Sequence, residues 1–190
     1  MRRLLTGLWA GLALLAAPVL ALDVVATSPS MGALVRAVAP QAQLTVLAGP
    51  DRDLHALQAK PSMIRALRSA HLLVAVGAEL EMGWLPAASS SAANPDILPG
   101  REGYFEAAAQ VPLLDVGGPA DRAMGDVHPA GNPHVDLDPV RMAQVAKALG
   151  ARMARLDPGN AAGYRANARR FAEAVEQRLP QWQAELAGAP

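Results

Sequence analysis

The 190-residue sequence contains no cysteine. That excludes disulfide frameworks, thiolate zinc sites, iron–sulfur ligation and a thiol nucleophile. Any metal chemistry must therefore use histidine and carboxylates. Net charge is absent too: 17 Lys and Arg balance 17 Asp and Glu, with no basic run, so nothing electrostatic points to a nucleic-acid partner. Aromatic residues make up only 4%. A chain of this length accommodates one or two compact units.

What is present begins with a targeting segment. Arg2 and Arg3 precede an apolar run over residues 4–20, and Val19-Leu20-Ala21 supplies an exit of small and apolar residues. Charge, apolar core and small-residue exit in that order predict a secretory signal over residues 1–21, cleaved after Ala21. A spanning helix needs about 20 apolar residues, and this run is shorter and contains Pro18. No cysteine follows it to take a lipid. The expectation is a periplasmic protein with no stable membrane insertion after signal cleavage.

Beyond residue 21, strand and helix signals alternate. Residues 22–27, 44–47, 72–76 and 111–116 read as strands. Helices are predicted from Ser28-Pro29 to Pro40, over 61–70, over 79–85, for a turn near 104–109, over 140–155 and over 159–187. Short strands apolar on both faces, separated by helices, imply an α/β fold with a parallel sheet flanked by helices. The last helix, about 43 Å long over 159–187, carries Tyr164, Ala168, Phe171, Val175, Leu179, Trp182 and Leu186 at steps of three and four, a one-faced stripe. Pro180 lies inside it, and an interior proline predicts a kink or two segments.

Four histidines are the chemical inventory. His55 follows the second predicted strand in Asp51-Arg52-Asp53-Leu54-His55, where ligands gather in open α/β sheets; a loop histidine taken alone is more often a surface residue. His71 sits at a helix-to-strand junction and reads as a structural, partly exposed residue. His128 and His134 lie in and just after a long loop, 117–133, in which Pro129 and Pro133 stiffen the backbone. From spacing alone, a metal site and a proline-stiffened cap loop with incidental histidines are nearly even.

Four passages resemble a known family, the zinc- and manganese-binding solute receptors of bacterial ABC importers. They are the loop ending Asp53-Leu54-His55; the 61–70 helix followed by Leu72 to Glu81 and Trp84; Asn132-Pro133-His134-Val135-Asp136-Leu137-Asp138-Pro139; and the Tyr164 to Leu186 helix. The third is the most specific, though Asp136 stands where the family usually has an aromatic residue. The resemblance implies a two-lobed protein whose lobes are joined by one long helix, with a metal held by two histidines from the first lobe and two ligands from the second. It places His55 and His134 as the first-lobe pair and gives the second-lobe ligands no counterpart. It thus implies a first α/β lobe over 22–157 and a connecting helix over 158–190, with the second lobe absent.

Function follows from that resemblance: capture of a divalent metal ion, zinc (Zn2+) in preference to manganese (Mn2+), and delivery to the membrane permease of an ABC importer, without catalysis. Two imidazoles fill half of a four-coordinate zinc shell, and His128 is a candidate third nitrogen. Two alternatives stand beside it: a zinc-dependent hydrolase using His55, His128 and His134, and a non-binding remnant of a metal receptor. The hydrolase lacks a His-Glu-x-x-His helix, a Gly-x-Ser-x-Gly elbow and an obvious general base.

Overall fold

The computed structural model describes residues 21–117 and 128–188. The signal segment predicted over residues 1–21 lies outside them, apart from Ala21. Four parallel strands, β1 (Asp23–Ala26), β2 (Gln43–Val46), β3 (Leu72–Ala75) and β4 (Tyr104–Glu106), form a sheet in the order β2-β1-β3-β4. The helices are α1 (Pro29–Val38), α2 (Pro61–Arg68), α3 (Leu85–Ala92), α4 (Pro139–Leu156) and α5 (Ala161–Leu186).

Side-chain alternation along the strands divides the interior into two layers. Val24, Ala26, Leu72 and Val74 pack with Leu34 and Val35 of α1, Val145 and Leu149 of α4 and Tyr164 of α5. Val25, Leu73 and Ala75 face the other way, onto Met63 and Leu67 of α2, Ala88 of α3, and Trp84. A parallel sheet buried on both faces needs strands apolar at every position, as Leu72–Ala75 is. The α/β architecture expected from the sequence is the one observed.

Three local expectations are corrected. The fourth strand is Tyr104–Glu106, whereas residues 104–109 were expected to turn helically and 111–116 to form the strand. Pro112 has no N–H for a ladder, and Asp115 takes a left-handed φ of 55°, so residues 111–117 run as a loop. Gly103 makes room for the true strand: its carbonyl accepts from Leu73 N–H at 2.8 Å, and a Cβ there would lie 2.5 Å from Asp96 O and 2.8 Å from His71 O. The third helix is Leu85–Ala92, whereas residues 79–85 were expected to be helical and instead form turns up to Trp84. Positive φ angles at Gly77, Ala78 and Glu79 turn the chain before it can start. Helix α5 runs unbroken through Pro180. Its stripe carries it onward, with Trp182 and Phe171 packed on Ala143, Ala172 and Val175.

The first half of α5 is part of the lobe. Tyr164, Ala168, Ala172 and Val175 are buried, and Asn167 Nδ2 donates to Val38 O at 2.9 Å. Leu179 and Trp182 are half-buried, while Leu186 is exposed. The free side of β4 is closed by Arg152, whose guanidinium donates to the carbonyls of Glu102 and Tyr104 and stands over the Phe105 ring. Covering an edge this way removes a template for strand pairing.

The buried carboxylate of Glu81 ties the strand ends together. Oε1 accepts from Thr27 Oγ1 at 2.6 Å and Val76 N–H at 2.8 Å, and Oε2 accepts from Gly77 N–H at 3.0 Å. Burial pushes its pKa above the usual carboxylate range, against the pull of those three donors. The folded state therefore holds a proton that the unfolded chain has released, and this contribution to stability falls as pH rises from the ordinary glutamate value through the raised one. Urea unfolding at a series of pH values should show wild type losing ground relative to Glu81→Gln across that window; a constant gap would refute the assignment. Gly103→Ala should cost about 1–3 kcal/mol or more, as overpacking against backbone does, measured by the same unfolding.

Candidate functional site

Every strand of a parallel sheet ends at the same edge, and the loops leaving that edge converge there. The loop after β2, residues 47–60, carries His55. Leu54 beside it packs against both apolar layers, and Trp84 Nε1–H donates to Leu54 O at 3.0 Å. A buried indole thus clamps the backbone next to the histidine. Asp53 fixes the ring: its Oδ1 accepts from His55 N–H at 2.9 Å and lies 2.8 Å from His55 Nδ1. The backbone N–H of His55, and after it the ring, hold the Asp53 carboxyl below its ordinary pKa, so it is an anion at neutral pH. An anion at Nδ1 selects the tautomer protonated there and leaves Nε2 bare, the arrangement common to metal-bound histidines.

His134 arrives from the other side of the rim, before α4. Asp138 caps that helix, accepting from Val140 N–H and Arg141 N–H, with the Arg141 guanidinium at 2.6 Å on its other oxygen. Asn132 Oδ1 accepts from His134 N–H at 3.0 Å, and Asn132 N–H donates to Leu114 O at 2.8 Å. Gly131, at φ 117°, lies so close to Leu113 that a Cβ would meet the Leu113 Cβ at 2.6 Å. These contacts lace residues 128–134 onto residues 113–117.

The three loop histidines come together. The His55 and His134 ring centroids are 5.8 Å apart, and His128 lies 5.0 Å from the first and 6.0 Å from the second. His55 Nε2 and His128 Nε2 approach to 2.9 Å, and one nitrogen from each of the three rings lies within 4.8 Å of the others. His55 and His128 are half-buried, and His134 is exposed. His71 is elsewhere, at the start of β3, where Nδ1 accepts from Asp23 N–H at 3.0 Å. A separate cleft of about 350 Å³ between α3 and the ends of β3 and β4 is lined by Glu79, Glu106 and Tyr104 and by none of the histidines.

Asp53 and Trp84 were within motifs read from the sequence, but their roles were not. An Asp two residues before a loop histidine was the available signal. The portion of the 117–133 loop at residues 118–127 lies outside the described residues.

No curated protein matches the chain. Among solved structures, a zinc-bound ZnuA deletion mutant superposes with a TM-score of 0.73 at 22% identity, covering 90% of this chain and 60% of that one. Zn(II)-bound AdcA from Streptococcus pneumoniae gives 0.69 at 20% identity, covering 89% and 33%. An Mn-bound mutant of a periplasmic metal-binding protein from Candidatus Liberibacter asiaticus gives 0.65 at 20%, covering 83% and 54%. At these identities the likeness is one of fold, and this chain spans 60% or less of each structure's length. A family model described as ZnuA, zinc-uptake complex component A, periplasmic, matches residues 24–190. With a parallel α/β lobe, a long last helix and that match over most of its length, the chain belongs to the periplasmic zinc-uptake component A family.

Proposed function

We propose that this chain is the metal-capturing lobe of a periplasmic solute-binding protein, that His55 and His134 ligate its Zn2+ cargo, and that the captured metal passes to the permease of an ABC importer. The observation that carries the reading is the approach of these two rings, distant along the chain, to 5.8 Å at the carboxyl rim of the sheet. Residues 1–21 act as the secretion signal in this reading. Among the described residues no helix is long and apolar enough to cross a membrane.

The donor set favours zinc over manganese. Imidazole suits Zn2+, Cu2+ and Ni2+, whereas Mn2+ prefers oxygen ligands. Binding, and no bond-making step, is the proposed activity. A hydrolase would need a general base beside the metal, and Asp53, the carboxylate placed there, is held by His55.

Zinc titration of the purified chain against a chromophoric chelator tests the reading. His55→Ala and His134→Ala should each weaken binding by more than the roughly 10–100-fold that loss of an outer-shell partner causes. His71→Ala should leave binding unchanged. Equal affinity in all three variants and wild type would sink the assignment. Asp53→Ala, which removes the partner that orients His55 without removing a ligand, should weaken zinc binding about 10–100-fold, measured by the same competition.

A further inference from the structure

We propose that His128 is a third ligand, so that this lobe alone holds Zn2+ through three imidazole nitrogens with one coordination position left open. The inference rests on the reading above for the roles of His55 and His134, and adds to it a residue and a coordination number.

Geometry carries it. A tetrahedral zinc bound at about 2.0–2.1 Å places neighbouring ligand nitrogens about 3.3 Å apart. The His55 and His128 Nε2 atoms are already at 2.9 Å, and the nitrogens of all three rings lie within 4.8 Å of one another. Rotations of exposed and half-buried side chains cover the difference. The three centroid separations, 5.0, 5.8 and 6.0 Å, describe a nearly equilateral triangle, as expected for rings facing a common centre. A histidine that only hydrogen-bonded to His55 would have no reason to stand within 6.0 Å of His134 as well.

The backbone around His128 is built to hold it there. Its carbonyl accepts from Gly131 N–H at 2.9 Å, and the next carbonyl, Pro129 O, accepts from Gly117 N–H at 3.1 Å. The imidazole is thereby anchored to the residues that also position His134. Three neutral nitrogen ligands would leave the ion its full charge and its fourth position to water or another donor; of the three rings, His134 is the exposed one.

X-ray absorption on the zinc-loaded full chain counts the imidazoles directly and needs no variant. Three in wild type and two in His128→Ala, with zinc affinity in the variant weakened by more than the roughly 10–100-fold of an outer-shell loss, is the expected result. Two imidazoles in wild type would overturn the proposal, even if His128→Ala weakened binding, since His128 would then act only through His55. Loss of zinc in His55→Ala and His134→Ala with unchanged binding in His128→Ala would remove this proposal alone. Binding unchanged in all three would remove the reading beneath it as well.

Discussion

Strands that all run one way must all end on one edge, and the structure depends on that constraint. Each connection has to cross the sheet and return, so the chain leaves every strand at the same rim. In the order β2-β1-β3-β4, connections diverge between β1 and β3, the position where α/β sheets open a crevice. Glu81 occupies it, accepting from Thr27 just past β1 and from Val76 and Gly77 just past β3. Burying a carboxylate is costly, and three donors offset that cost. With the two central strand ends joined, the loops around them start from fixed points.

Fixed starting points matter because two imidazoles from distant loops will not meet a cation unless the loops are ordered beforehand. Ordering backbone costs on the order of 1–2 kcal/mol per residue, and a metal binding to mobile loops would supply it from its own affinity. Here the protein supplies it from elsewhere. Trp84 and Leu54 hold the His55 loop to the core, and Asp53 sets the ring. Pro129, Gly131, Pro133 and Asn132 do the equivalent for His134. None of these residues would need to touch a metal held at the proposed site, yet each lowers the entropy that such binding must overcome.

The legible parts of the fold were those where local pattern and tertiary context agree. Leu72–Ala75, apolar at every position, is a central strand by pattern and by structure, and Ser28 with Pro29 starts α1 as a cap and first-turn proline should. Illegible parts were those decided by backbone geometry. Tyr104-Phe105-Glu106 precedes an alanine run and reads as helix; only the fit of Gly103 between two carbonyls makes it a strand. The left-handed run Gly77-Ala78-Glu79 has two non-glycine residues that no propensity places there. At the site, the convergence of His55 and His134 was legible through motif resemblance. The arrival of His128 beside them was legible only as a candidate third nitrogen, because six residues of spacing along a proline-bounded loop do not fix where the loop folds back.

A carrier differs from a structural metal protein in what it asks of its ligands. A closed site satisfies all four positions of zinc from one body and then resists exchange. In the proposed reading, imidazoles presented from one rim, one of them exposed, would hold the ion while leaving a position for another donor to attack. Exchange would then proceed by substitution at that position, without unfolding the loops that hold the rings. In that reading the ordered loops would confer recognition, and the open position would permit release.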